Sequence, residues 1–421
     1  MKRRILCAAL ALILALGATG CAPRGVYYAD NPGKTGDLTG GVTAGAVTVA
    51  QPTAAHYEKM ADFTVKLLQK CVGDGNAAVS PLSVLMALGM TANGAKGETL
   101  AEMEAVFGMT LPELNALLYS LSTEDGSDGE AKLRLANSIW FKDTERLSVN
   151  ESFLQKNADY YGADVLKAAF DAQTLEDINA WISDKTDGMI ENILDEIPAD
   201  AVMYLINALC FDAEWERIYT EYDIYDGVFT TEDGKEQPAE LMRSEEALYL
   251  DDGAATGFIK PYAGDRYAFA ALLPNEGTSI ADYVAGLTGE GLYETLKNPQ
   301  QTTVYTALPK FESEFDVLLN DVLSELGMPT AFNSGLADFT DMATSADGNI
   351  YISRVIHKTF ISVDERGTKA GAATVVEMVA ESAPSDPKIV ILDRPFVYML
   401  LDLETGLPFF IGTTEQIIDK G

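Results

Sequence analysis

Histidines, cysteines and paired carboxylates build most catalytic and metal sites, and this 421-residue chain is poor in the first two. Its histidines are His56 and His357; its cysteines are Cys7, Cys21, Cys71 and Cys210. His56 falls at the start of an amphipathic helix, near the surface. His357 lies within a strand, where a lone imidazole is more often a hydrogen-bonded core group than a ligand. No C-x-x-C, H-E-x-x-H or G-x-S-x-G run occurs, and no glycine loop to cradle a phosphate. A His/Cys metal cluster is ruled out by count. Carboxylates are so abundant that no pair stands out as an acid/base couple. No catalytic residue, metal or cofactor is expected, and the chain reads as something other than an enzyme.

One segment does carry a pattern with chemical meaning. From Gly367 to Ala373 every side chain but Lys369 is small, so the stretch would meet little resistance sliding between two strands. Strand residues alternate faces with period two. The even positions Thr368, Ala370, Ala372, Thr374, Val376, Met378 and Ala380 are all uncharged. Lys369, Glu377 and Glu381, the charges between Arg366 and Ser385, all fall on odd positions. One face is therefore made for burial. Taken alone, the pattern also fits an ordinary half-buried strand or an Ala/Thr-rich linker.

The elements around it read as follows. Residues 56–71 space Tyr57, Met60, Phe63, Val65, Leu67 and Leu68 as one helical face. Residues 76–79 are extended; Ser80-Pro81 then caps and opens a second, apolar and buried helix. Gly97-Glu98-Thr99 starts a third helix that ends near Gly108. Strands are expected at 133–141 and 201–215, the second apolar on both faces and so central in a sheet, with a helix at 177–190 between them. Hydrophobic runs and turns from 249 to 274 precede a helix at 314–327 and strands at 350–363, 388–392 and 396–403. Long strands and helices in irregular order argue for an α+β fold. Cys71 and Cys210 read as small buried hydrophobes, with a bridge between them left open.

Hydrophobic residues make up 47% of the chain, ample for a sizeable core, and the net charge is −34. Without Lys2, Arg3 and Arg4, 27 basic residues face 64 acidic ones, a balance of −37. Such a charge repels phosphates, so no nucleic-acid partner is expected. Lys2-Arg3-Arg4, the apolar run 5–16 and the small residues before Cys21 have the layout of a secretory signal. The ending resembles a lipobox, with Ala18 in place of the commoner leucine, and would make residues 1–21 a lipoprotein signal peptide with Cys21 lipidated. Two acyl chains would suffice for stable anchoring. Simple secretion is the other reading; either way the protein is expected to be exported, at the cell surface or extracellular. Residues 22–52, rich in Gly, Thr and Ala, read as a flexible tether.

Several runs in unbroken order between residues 54 and 419 carry a family resemblance. They include Asn76-Ala77-Ala78-Val79-Ser80-Pro81-Leu82-Ser83, Gly94-Ala95-Lys96-Gly97-Glu98-Thr99 and Leu135-Ala136-Asn137-Ser138-Ile139-Trp140. Later come Asn207-Ala208-Leu209-Cys210-Phe211 with Trp215, Leu308-Pro309-Lys310-Phe311, His357-Lys358, Val363-Asp364-Glu365-Arg366-Gly367-Thr368 and Pro408-Phe409-Phe410-Ile411-Gly412. The chain resembles the serpins, a family of serine protease inhibitors.

The resemblance implies a single domain at 53–421, with a large five-stranded sheet, two smaller sheets, about nine helices and an exposed reactive loop near 365–387. Ser80, Ser83, Asn207 and His357 would form a polar shutter under the middle of the main sheet, with Trp215 at the breach where the loop enters. The hinge would be Glu365, Gly367, Thr368, Ala370, Ala372 and Ala373. Counting Glu365 as first, the seventeenth residue places the cut at Glu381-Ser382. Counting back from Pro395-Phe396 points near Pro384, so Ala380 and Ala383 stand as alternatives. After attack by a serine protease, or in second place a cysteine protease, residues 368–380 would insert as a new strand and trap the acyl-enzyme. Glu381 suits elastase-like, subtilisin-like or glutamyl-specific enzymes. The acidic region 113–130 argues against heparin, and a monomer is expected. The alternative is a non-inhibitory serpin acting as a surface carrier or scaffold.

Overall fold

The computed structural model describes residues 35–38, 42–73, 75–123, 131–144, 146–186, 188–198, 201, 203–264, 266–346, 348–368 and 387–418. The first half runs β1 (Gly36–Asp37), α1 (Ala54–Cys71), β2 (Ala77–Val79), α2 (Pro81–Ala92), α3 (Gly97–Phe107), α4 (Leu111–Thr123), β3 (Ala131–Lys142), β4 (Leu147–Val149), α5 (Glu151–Tyr161), β5 (Asp164–Ala168), α6 (Ala172–Lys185) and β6 (Met203–Glu214). The second half adds β7 (Ile224–Thr230), β8 (Glu236–Asp251), β9 (Ala255–Pro261), β10 (Tyr267–Pro274), α7 (Ile280–Gly286), α8 (Gly289–Lys297), β11 (Gln300–Pro309), β12 (Phe311–Leu318) and α9 (Asn320–Leu326). It closes with β13 (Ala343–Ser345), β14 (Arg354–Val363), β15 (Gly367–Thr368), β16 (Lys388–Ile391), β17 (Phe396–Asp402) and β18 (Leu407–Thr414).

The main sheet has the order β1-β5-β3-β6-β15-β14-β12. Five strands form its body; β1 is added at one edge and β15 in the middle. The sheet is mixed, because β3/β5 and β6/β14 are parallel while the other pairs are antiparallel. A second sheet runs β16-β11-β8-β9-β10-β17-β18-β2, with β7 on β8. The sixteen residues of β8 are long enough to serve two sheets, so the two smaller sheets expected from the resemblance form one hydrogen-bonded network. A short ribbon, β13-β4, completes the set among the described residues.

Central strand β6 shows why the fold needs a strand apolar on both faces. Met203, Leu205, Leu209 and Phe211 join the main core against α2, while Tyr204, Ile206 and Cys210 pack beneath α6 with Trp140 and Trp181. Helix α2 is buried along its whole length, and Ser80 caps it by accepting from the Ser83 N–H at 3.2 Å. Gly108 ends α3 in the left-handed region, at φ 67°, where a Cβ would be strained.

Two expectations need correction. The stretch 314–327 is not one helix: β12 continues to Leu318 and only Asn320–Leu326 coils. Phe311, Ser313, Phe315 and Val317 alternate with acidic residues, and eight consecutive pairs with β14 outweigh the helical propensity of the segment. Nor is 22–52 a free tether throughout. Gly36 and Asp37 pair with Lys167 and Leu166, the Leu38 N–H donates to the Val165 carbonyl, and Thr35 donates to Asp177 on α6. Gln155 donates to the Thr43 carbonyl, and the Gly45 N–H donates to Asp159. The outer strand β5 offers unpaired backbone groups that this segment satisfies. A chain starting at residue 49 should lose about 2–4 kcal/mol of stability, from these bonds and the packing of Leu38 and Val42. A denaturant midpoint unchanged by the truncation would contradict this.

Candidate functional site

Strands β6 and β14 pair directly at Tyr204–Asn207 with Arg354–His357. Above His357 they part, and β15 fills the top of the gap, antiparallel to both. Gly367 and Thr368 are therefore strand residues, both buried. This corrects the expectation that Thr368 belongs to the exposed loop: the first step into the sheet is already taken. Residue 367 must be glycine for contact reasons, since a Cβ there would lie 2.0 Å from the Ala213 carbonyl oxygen. Thr368 shares a hydrogen bond with the Tyr262 hydroxyl at 2.5 Å, so its side chain points to the core, as the even-residue pattern requires. Ala370, Ala372, Ala373, Glu381 and Ser382 lie outside the described residues, as does Cys21.

The turn before β15 is held from several sides. The Trp215 ring N–H donates to the Asp364 carbonyl at 2.9 Å, and its backbone N–H donates to the Arg366 carbonyl at 2.8 Å. The indole stacks on Tyr262 with centroids 4.5 Å apart and planes 7° from parallel. Lys310 bridges Glu365 at 2.9 Å and Glu240 at 3.3 Å; Arg366 reaches Glu214 at 2.9 Å. Burial works against the Glu365 carboxylate, but its bond to Lys310 prevails and holds its pKa below the usual range. Beneath lies a buried ion pair, Lys260 with Glu246 at 2.9 Å, the ammonium 4.4 Å from the Tyr219 ring centre. Tyr262, Tyr219, Lys260 and Glu246 were not singled out from sequence; Glu246 is on β8, Lys260 on β9, Tyr262 just after β9 and Tyr219 between β6 and β7, and no local motif links them to the hinge.

Lower down, Ser80, Ser83 and His357, three of the four residues named for the shutter, lie together. The Ser80 N–H donates to His357 Nε2 at 3.0 Å, and the Ser80 hydroxyl donates to the Phe409 carbonyl at 2.9 Å. Ser83 is buried next to them, and Thr359, two residues past His357, donates to the Ala78 carbonyl. Asn207 stands opposite His357 in the β6/β14 register and opposite Asn137 in β3. His56 lies at the exposed start of α1, accepting from the Thr53 N–H. Cys71 and Cys210 are free thiols, and burial pushes the Cys71 thiol up to about 12.

A three-part arrangement has now emerged: a gap between parallel strands, a polar lock across its middle, and a glycine-led hinge in its mouth. The family model described as serpin (serine protease inhibitor) matches residues 58–417. The chain belongs to the serpin family. An uncharacterized serpin-like protein of Thermococcus kodakarensis is 31% identical over 364 residues, covering 83% of each chain. Leukocyte elastase inhibitor A of Rattus norvegicus is 29% identical, over 80% of this chain and 92% of its own. The native-state structure of tengpin, a thermophilic serpin, superposes with a TM-score of 0.87 at 44% identity, over 91% of this chain and all of that one. The serpin fold, with its large mixed sheet, smaller sheets and nine α-helices among the described residues, is thereby shown.

Desolvation lowers the His357 pKa from 6.5 to about 4 in this serpin. Because the folded value is depressed, the native state refuses a proton that the unfolded chain accepts. Stability is therefore full above pH 6.5, falls as the pH drops from 6.5 to 4, and levels off below that. At 1.36 kcal/mol per unit the total loss is about 3 kcal/mol. Protonation would also set an N–H of the imidazole against the Ser80 N–H. Urea midpoints at pH 7 and pH 5 should show about 2 kcal/mol of this loss, and His357→Gln should flatten the slope between them. An equal slope in the variant would rule His357 out as its source.

Proposed function

We propose that this serpin is a suicide-substrate inhibitor of serine proteases, exported and lipid-anchored through Cys21 at the cell surface. The observation that carries the reading is β15: the hinge already occupies the mouth of a gap whose two walls run parallel. A strand entering from above is antiparallel to both walls and can bond to each.

Continuing the observed registers gives the reading further support. Gly367 opposite Glu214 and Thr368 opposite Val363 would set Ala370 between Phe211 and Ile361, and Ala372 between Leu209 and Thr359. Thr374 would then fall between Asn207 and His357, two residues that already face each other. The even side chains would line the core face with the odd residues of β6 and β14. The odd charges would meet opposite charges: Lys369 beside Asp212, and Glu377 beside Arg354.

In this mechanism the protease serine oxygen attacks the carbonyl carbon of Glu381. The 381–382 peptide bond breaks, the new amine of Ser382 takes a proton from the protease's general acid, and an ester joins the two proteins. The freed segment inserts as a strand and carries the esterified protease with it before water can cleave the ester. An acid at 381 favours glutamyl-specific enzymes, and its small neighbours favour elastase-like and subtilisin-like ones. The similarity to a leukocyte elastase inhibitor fits the second group.

Incubation with such proteases should give a covalent complex that survives SDS. Clean cleavage without complex, by every enzyme tried, would overturn inhibition and leave a carrier or scaffold.

A further inference from the structure

Between the segment that follows α6 and the outer face of the main sheet lies a cavity of about 280 Å³. Met189, Ile190 and Glu191 line one wall; Glu314 on β12, with Lys358 and Phe360 on β14, lines the other. Its size is near the lower end for small-molecule sites. The first wall is firmly set. Asn179 of α6 donates to the Leu194 carbonyl at 2.8 Å and accepts from the Ile193 and Leu194 N–H groups at 2.9 and 3.1 Å. The Ile190 N–H donates to the Thr186 hydroxyl at 3.1 Å. Ile190, Ile193 and Leu194 pack in one cluster with Tyr204, Ile206 and Cys210, so this wall travels with β6. The second wall travels with β12 and β14.

Charge says what the cavity would hold. Two carboxylates line it against one ammonium, and Lys358 is engaged by Glu314 at 3.4 Å. Asp316, opposite Lys358 in the β12/β14 register, adds a third carboxylate beside the same wall. Glu191 has no ion-pair partner among the described residues. The chain's net charge of −34 adds a background potential of the same sign. Phe360 offers an aromatic ring, which attracts cations, and Met189 a pliable apolar surface. We propose that this cavity binds a small organic cation, an ammonium carried on an aromatic ring or short alkyl chain, and that a ligand seated there opposes entry of the new strand. The second half rests on the inhibitory reading above; binding itself does not. An inserted strand must move β14 away from β6 by one inter-strand spacing, about 4.8 Å. The two walls part by the same step, so a ligand that touches both favours the uncut arrangement. By linkage, it then makes insertion less favourable by the same factor.

The test titrates the whole protein at low salt with phenethylammonium, and with phenylacetate, which has a similar shape and the opposite charge. Phenethylammonium should bind in a single site, and phenylacetate about tenfold more weakly or not at all. Glu191→Lys should weaken the cation by about tenfold, and Lys358→Met, which removes the competing charge, should tighten it severalfold. Glu191 is exposed, so its exchange should leave the denaturant midpoint unchanged. Equal affinity for the two probes, or equal affinity of wild type and Glu191→Lys for the cation, would overturn the site. With a protease that forms the covalent complex, phenethylammonium should raise the fraction of wild type that is cleaved without being trapped, and should leave Glu191→Lys unaffected. A fraction that stays constant while the cation is bound would overturn the opposing role and leave the site standing. Absence of complex without the cation would overturn the inhibitory reading and the opposing role together, with the titration still deciding the site.

Discussion

Replacing Thr368 by arginine is expected to convert the proposed inhibitor into a substrate. Thr368 is enclosed between β6 and β14, and its hydroxyl meets Tyr262 in the core. No carboxylate is bonded to it there. A guanidinium at this position would be a buried charge without a partner, a penalty of several kcal/mol that the uncut protein can escape by withdrawing β15 and the inserted strand cannot. Since about 1.4 kcal/mol is a factor of ten, insertion should lose its race against hydrolysis of the ester by tenfold or more. The loop would still present residues 381–382, so cleavage should continue at an undiminished rate. Gels should show cleaved inhibitor and free protease in place of the SDS-resistant complex. Thr368→Ser keeps the hydroxyl and the small volume and should retain the complex. Full complex formation by Thr368→Arg would mean that the gap between β6 and β14 is not where the loop goes.

The second large effect concerns heat. Cutting the loop releases its constraint at one end, and the inserted strand adds backbone bonds on both sides while burying Ala370, Ala372, Thr374, Val376, Met378 and Ala380. A net gain of about 5 kcal/mol would raise the melting temperature by roughly 6–7 °C. Proteolytic nicking normally loosens a protein, so even the sign is diagnostic. Differential scanning calorimetry before and after cleavage near residue 381 measures it directly. The cleaved Thr368→Arg protein should lack the rise. In the wild type, a melting temperature that stayed level or fell after cleavage would remove the metastability on which the proposed mechanism depends.

Both experiments use features that differ in how visible they are along the chain. The even/odd split from Thr368 to Ala380 is a local property, since strand period alone sorts charged from uncharged positions. The Ser80-Pro81 start of α2 and the two-faced apolar run of β6 are local in the same sense. These are choices that backbone geometry imposes on neighbours a few residues apart. The α+β architecture was legible because family motifs supplied the long-range pairing, and the same motifs named Ser80, Ser83 and His357.

What the chain could not announce was contact between distant segments. Residues 311–318 became a strand because β14 offered eight successive partners. Gly36–Asp37 became an edge strand because β5 had open hydrogen-bonding groups. Tyr262 became part of the hinge site only when the turn after β9 came to rest under β15. Gly367 and Thr368 look like the start of a loop by composition, yet they are buried, because β6 and β14 diverge above His357 and leave a space that only a glycine-led backbone can enter. By itself, then, the sequence determined which face of the loop could be buried and which residues could cap, turn or fill a core. Tertiary structure decided that β6 and β14 part above His357 and take Gly367 and Thr368 between them, because a hydrogen bond between strands depends on where the partner strand lies and not on the residues beside it in the chain.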